Sequence, residues 1–283
     1  MDRLRFLYLP LLVVLCLAVC LNLNAAEKTY YVAIIIDDLG YKARMDSRAV
    51  NLDGNITYAF LPHAPFTPKL AEKVHAQDRE VMLHLPMQSH EHIHLGPGAI
   101  TEDMDEIQFT QALKKSLESV PHAKGINNHM GSLITSNEER MHWLMKNIAA
   151  NELFFIDSRT TSKTVAEKIA QQYDLPNTRR NVFLDHDHNP KAINYQFNRL
   201  IKLAKKYGSA VGIGHPFELT LTILEKRIPE LENHGIKLIS ASQLIAYQQN
   251  KGEKSWQMSL SHSPKVVKNS KQLPLSTCCD GQK

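Results

Sequence analysis

The sequence predicts an α/β protein: one domain, with seven or eight parallel strands closed into a barrel and helices outside it. Three observations carry that expectation. Strand-like runs alternate with helical stretches from residue 30 to residue 249, the rhythm of a parallel sheet covered by helices. The first run, Val32-Ala-Ile-Ile-Ile36, is continuously apolar, as strands buried on both faces are. One run after another also ends in a carboxylate, imidazole or amide, and the carboxyl ends of parallel strands are where such folds gather their chemistry.

Strands are expected near 32–36, 56–60, 81–85, 125–128, 153–157, 182–185, 210–214 and 236–239. Between them, Thr67-Pro68 reads as an N-cap followed by proline at the first helical position, with Leu70, Ala71 and Val74 on one face. Ser136-Asn-Glu-Glu139 reads as a capping box before Met141, Leu144, Met145 and Ile148. Asn189-Pro190 opens a helix with Ile193, Phe197, Leu200, Ile201 and Ala204 at helical spacing, and Ser240 with Gln243 starts the last helix. Residues 88–103 break the rhythm as a longer loop holding His90, His92 and His94, read as a polar loop or lid.

Residues 1–26 have the layout of an export signal: a charged start, an apolar stretch from Phe6 to Leu21, then Asn24-Ala25-Ala26. The expected address is the periplasm or the exterior, with an uncleaved membrane anchor as the other option. The body, 27–249, is the barrel domain. The tail, 250–283, is rich in Lys, Ser, Gln and Pro and is expected to be disordered. The formal charge of +4 comes from the ends, because residues 27–249 hold 25 basic against 26 acidic side chains. No basic face follows, so nucleic acid is not expected as a partner, nor is a stable protein partner. All four cysteines, Cys16, Cys20, Cys278 and Cys279, lie outside the body. The body therefore uses neither a disulfide framework nor thiolate metal ligands.

The strand ends supply the candidate site. Asp37-Asp38 close the first run; His84 comes late in the third; Asn127, Asn128 and His129 end the fourth. Asp157-Ser-Arg159 end the fifth, Asp185 the sixth, and His215 the run Gly212-Ile-Gly-His215. In a barrel these ends meet at one mouth. A carboxylate with two neutral imidazoles and an open position suits Zn²⁺ or another divalent ion. A second carboxylate can take a proton from water and a histidine opposite can protonate a leaving group, which together favour hydrolysis of an amide or ester. Asp157 has a competing reading, pairing with Arg159 or capping the helix after Thr161. In Asp185-His186-Asp187-His188, alternation separates the acids from the imidazoles, and only Asp185 is retained.

Five segments in order, Ile-Ile-Asp-Asp-Leu-Gly (35–40), Leu-His-Leu-Pro-Met (83–87), Gly-Ile-Asn-Asn-His-Met-Gly-Ser (125–132), Ile-Asp-Ser-Arg-Thr (156–160) and Ile-Gly-His-Pro (213–216), carry a resemblance. Across roughly residues 29 to 249 the chain resembles the divergent branch of the polysaccharide deacetylases. The resemblance implies a distorted (β/α) barrel and metal-dependent removal of acyl groups from an N-acetylated glycan such as peptidoglycan. Carried over motif by motif, Asp37 would be the base, Asp38 a metal ligand, His84 and His129 the imidazole ligands and His215 the acid. Asn127, Asn128, Asp157, Arg159 and Asp185 would bind substrate or support these groups. Well-characterised relatives take both histidines from one short segment; here it supplies only His84, with Gln88 and Ser89 where the second would fall. His129 comes from the next strand, in place of an arginine and proline motif, and Asp157 could replace either histidine. That departure leaves a second reading open: a protein of the same fold that binds glycan without turnover.

Overall fold

The computed structural model describes residues 28–91 and 93–261. Residues 1–27, where the export signal is expected, His92 and the chain after Ser261 lie outside the described residues. Among the described residues nine strands form one sheet: β1 (Tyr30–Leu39), β2 (Thr57–Phe60), β3 (Glu80–Met87), β4 (Ala123–Met130), β5 (Phe154–Asp157), β6 (Asn177–Arg179), β7 (Val182–Phe183), β8 (Ser209–Gly214) and β9 (Ile236–Leu238). Every pairing is parallel, in the order β6-β5-β4-β3-β2-β1-β8-β7, with β9 beside the start of β1. The helices are α1 (Ala43–Ala49), α2 (Thr67–His75), α3 (Glu106–Glu118), α4 (Glu138–Ala150), α5 (Ala166–Gln172), α6 (Pro190–Tyr207), α7 (Glu218–Arg227) and α8 (Ala241–Ser261).

The barrel is distorted at one seam. β6 and β7 occupy opposite ends of the strand order, yet only Arg180 and Asn181 separate them in the chain. One continuous segment therefore closes the sheet. The Arg180 amide donates to the Asp157 carbonyl on one side (2.9 Å), and the Asn181 and Leu184 amides donate to Val211 and Ile213 on the other (2.9 and 2.8 Å). Strand β6 was not foreseen, because Asn177-Thr-Arg179 is short and polar and has no apolar run to reveal it.

Alternation along the strands sorts the core into two layers. Val32, Ile34 and Ile36 of β1 join the large cluster under the helices. Ala33 and Ile35 point inward with Ala59, Met82, Phe154, Ile156, Val211 and Ile213, and Ala241, Leu244 and Ile245 from the first turns of α8 pack against this inner set. The inner apolar layer is thus stoppered from the amino ends of the strands. The next inward positions toward the carboxyl ends are Asp37, His84, Asn127 and His215.

Two helix starts differ from expectation. Thr67 is already helical and its hydroxyl donates to the Leu61 carbonyl (2.8 Å), so it anchors the preceding loop rather than capping α2. α4 starts at Glu138, and Asn137 caps it by accepting from the Arg140 amide (3.1 Å), one residue beyond the expected Ser136. Asn189 caps α6 as expected, accepting from the Ala192 amide (2.8 Å). Ser240 and Gln243 exchange the two bonds of a capping box (3.1 and 3.3 Å). The chain up to Tyr247 forms one unit and the chain from Gln248 another. α8 continues to Ser261, so residues 251–261 are helical where coil was expected. Among the described residues no helix is long and apolar enough to cross a membrane.

Candidate active site

The end of β1 breaks the alternation that would send Asp37 and Asp38 to opposite faces. The register with β2 slips between Ile36 and Leu39, where three steps along β1 match two along β2. Such a bulge re-aims a side chain. Asp38 takes φ +59, a left-handed conformation uncommon outside glycine, and both carboxylates reach the mouth. The following turn is held from within: the Gly40 and Lys42 amides donate to Asp46 Oδ2 of α1 (2.9 and 2.8 Å).

Asp38, His84 and His129 come together as a candidate cation site. Asp38 Oδ1 lies 2.9 Å from His129 Nδ1 and 3.1 Å from His84 Nε2, and the two nitrogens are 3.1 Å apart. Donors that share a zinc ion at ~2.0–2.1 Å stand about 3.3 Å from one another. Pairing across β3 and β4 sets His84 beside Asn127. The Asn127 amide donates to Asp37 Oδ1 (2.8 Å), so its oxygen must accept from His84 Nδ1–H (2.8 Å). That fixes the neutral tautomer with its lone pair on Nε2, facing Asp38 and His129. Consistent with this, Asp38 Oδ1 is buried and no hydrogen bond satisfies it despite the two nearby nitrogens. The three donor atoms converge on one point, and a cation, or a proton carried on His129 Nδ1, fills it. The residues fit a divalent ion.

The electrostatics follow from burial and proximity. Burial pushes the Asp37 carboxyl above its ordinary value, against the pull of His84, His215 and the Asn127 amide. For Asp38 burial acts in the same direction, but the His129 and His84 contacts outweigh it and hold the carboxyl far below the usual range. Burial works against a charged His84, yet Asp37 and Asp38 raise its pKa, so a proton is attracted to the same point as a cation.

Opposite this cluster, His215 is held by Asp185. Its Nδ1–H donates to Asp185 Oδ1 (3.0 Å), while Asp185 Oδ2 accepts from the His215 amide (2.7 Å) and the Thr220 hydroxyl (2.8 Å). His215 Nε2 is left facing the cavity, 3.9 Å from Asp38 Oδ2. Burial opposes its charge, but Asp185, Asp38 and Asp37 outweigh burial and push the imidazole up to about 9.

Other expected residues serve the frame. Asp157 does not join the cation site: its oxygens accept from the Arg159 amide (2.8 Å) and the Thr164 hydroxyl (2.9 Å), and it neither pairs with the Arg159 guanidinium nor caps α5, which begins at Ala166 after Val165. Its carboxyl is raised by burial. Asn128 ties two strand ends together, accepting from the Ser158 amide and donating to the Met130 carbonyl (2.8 and 2.7 Å). His90 and His94 do not line the cavity. The cavity, about 560 Å³, includes Asp37, Asp38, His84, His129, Arg159 and His215. It also takes in Arg180 and Phe183 from the seam, Gln196 and Arg199 from α6, and His186. Arg180, Gln196 and Arg199 were missed because the seam was not recognised and α6 was read only for its buried face, while His186 was set aside because strand alternation placed it away from Asp185.

Fold and site together define a class: a parallel (β/α) barrel with a candidate cation site at the carboxyl ends of β1, β3 and β4. Residues 34–245 match the family described as divergent polysaccharide deacetylase, and the chain belongs to that family. It is 35% identical over 232 residues to the uncharacterized protein YibQ of Escherichia coli (strain K12), covering 82% of this chain and 72% of the relative. A relative from Haemophilus influenzae, also uncharacterized, is 34% identical over 201 residues, covering 70% and 72%. Among solved structures, the uncharacterized protein ATU2773 from Agrobacterium tumefaciens C58 superposes with a TM-score of 0.74 at 19% identity, covering 78% of this chain and 91% of that one. That likeness bears on the fold alone.

Proposed function

We propose that the chain is an exported, metal-dependent hydrolase that removes acetyl groups from an N-acetylated envelope polysaccharide. The observation that carries the reading is the triangle of Asp38, His84 and His129, flanked by a buried carboxylate on one side and an Asp-held imidazole on the other. Membership in the family supports the substrate class. Asp38, His84 and His129 would hold the ion, with zinc suited to one oxygen and two nitrogen donors. When bound, such an ion polarises an acyl carbonyl and makes water more acidic.

The chain's own residues supply the proton transfers. Asp37, raised by burial and steadied by Asn127, accepts a proton from the attacking water. His215, protonated at Nε2, delivers a proton to the departing sugar nitrogen as the C–N bond breaks. Water and acetamide are consumed, and acetate and the amine leave. Asp185 fixes the imidazole, as Asn127 fixes His84.

The test is the metal content of the purified protein, followed by acetate release from N-acetylglucosamine oligomers. Asp37→Asn is expected to keep its metal and lose about 10²–10⁴-fold in rate. Asp38→Asn is expected to lose metal and rate together. Absence of any bound divalent ion, together with unchanged glycan after prolonged incubation, would overturn the reading.

A further inference from the structure

One wall of the cavity does no work in the proposed hydrolysis. It carries three guanidinium groups, Arg159, Arg180 and Arg199, from the end of β5, the seam and α6. Among the described residues none of the three forms an ion pair with a carboxylate, although eight lysines and arginines outside the wall, such as Arg48 and Arg227, do.

Their placement is built. Arg180 donates from Nε to the Ser158 carbonyl (2.6 Å) and from Nη2 to the Arg159 carbonyl (2.8 Å), and lies over the Phe183 ring at 5.0 Å. No described residue takes its Nη1. Arg159 sits at φ +53, which a long side chain rarely adopts. It is kept there by its amide bond to Asp157 Oδ1 (2.8 Å) and by Thr160, whose hydroxyl donates to the Met130 carbonyl (2.8 Å). Among the described residues no side-chain hydrogen bond holds the Arg159 guanidinium, and Arg199 has one long contact, to Gln196 Oε1 at 3.4 Å. Arg180 is depressed by burial first and by repulsion from Arg159 and Arg199, against the attraction of Asp37 and Asp157. Clustered guanidinium groups without a protein counter-ion attract an oxyanion, which they bind through paired N–H donors.

We infer that this wall is a subsite for an anionic substituent, a carboxylate or a phosphate, on the substrate sugar or its neighbour. The inference rests on the hydrolase reading for the word substrate, but its geometry concerns binding alone. The preferred glycan is then acidic, and a neutral N-acetylglucosamine chain is the poorer ligand.

The test measures binding by calorimetry with three matched N-acetylated oligomers: neutral, bearing a carboxylate, and bearing a phosphate. The full chain is compared with Arg159→Gln, Arg199→Gln and, as a control for general charge, Lys202→Gln on the same helix outside the cavity. An acidic oligomer is expected to bind at least ~10-fold more tightly than the neutral one, with the advantage shrinking in salt. Arg159→Gln and Arg199→Gln should each remove most of that advantage, and Lys202→Gln none of it. The carboxylate and phosphate arms tell which anion the wall prefers. Equal binding of all three oligomers, no binding of any, or a preference that survives both arginine variants would overturn the inference. Acetate release is scored separately. Release from neutral and acidic oligomers alike, with equal binding, would sink the subsite and leave the hydrolase standing. An anion preference without any release would do the reverse.

Discussion

At the scale of single residues, the site is an arrangement of lone pairs. Asn127 has one amide and spends both ends of it, so His84 can offer only Nε2 inward. Asn127→Leu is expected to weaken zinc binding about 10–100-fold, since the partners that orient a ligand are worth that much; competition with a chromogenic chelator measures it. Zinc binding should also release protons and weaken as pH falls, because the same point draws a proton onto His84. His215 gives a second, opposite titration. Its folded pKa of about 9 stands above the ordinary 6.5. The stability it contributes is therefore complete below pH 6.5 and is lost as pH rises through about 9. The unfolding free energy of the metal-free protein, from urea titrations, should decline across that window by roughly 2–3 kcal/mol in total, and Asp185→Asn should flatten the decline. Much of this was legible in advance. Asp37, His84, Asn127 and His215 are inward by simple alternation. Asp38 was legible only as half of an Asp-Asp pair, because its aim depends on a bulge. Asp157 misled because a carboxylate at a strand end can equally serve its own turn.

At the scale of elements, the decisive piece is the end of β1 and its turn. Gly40 has φ +124, and a Cβ there would overlap Thr67 Oγ1 and Ala64. The turn that aims Asp38 therefore depends on both a glycine and the α2 anchor. Gly40→Ala is expected to cost about 1–3 kcal/mol or more by denaturant titration, and to reduce metal affinity alongside. A variant that loses stability while binding metal normally would show that the turn and the aim of Asp38 are independent. Strands rich in Val and Ile announced themselves, and the Asn189 and Ser240 caps were readable as written. The Thr67 and Ser136 caps were displaced because hydroxyls have backbone partners of their own nearby, the Leu61 carbonyl for one and the Ser132 carbonyl for the other. β6 was the hard element, three residues long and too polar for periodicity to register, whereas β7 falls within the strand expected near 182–185.

At the scale of the molecule, the polar candidate site and an apolar layer are stacked along one axis. Leu244 of α8 is fully buried against the inner set beneath the polar layer. Leu244→Ala is expected to destabilise the fold by about 2–5 kcal/mol while leaving zinc affinity within a few-fold of the parent. The parallel barrel itself was legible because strand–helix alternation survives over the whole body. Its seam was not, since closure there rests on one connecting segment rather than on a pattern of side chains. That seam has a consequence for what lines the chamber. The staves at this point are two and three residues long, and residues of the outer helix α6 share the chamber with the histidines. Short staves bring the outer helix to the chamber wall, so the lining at this point comes from Gln196 and Arg199 of α6 as well as from strand ends. Replacing either side chain would reshape the chamber without altering a single residue of the sheet.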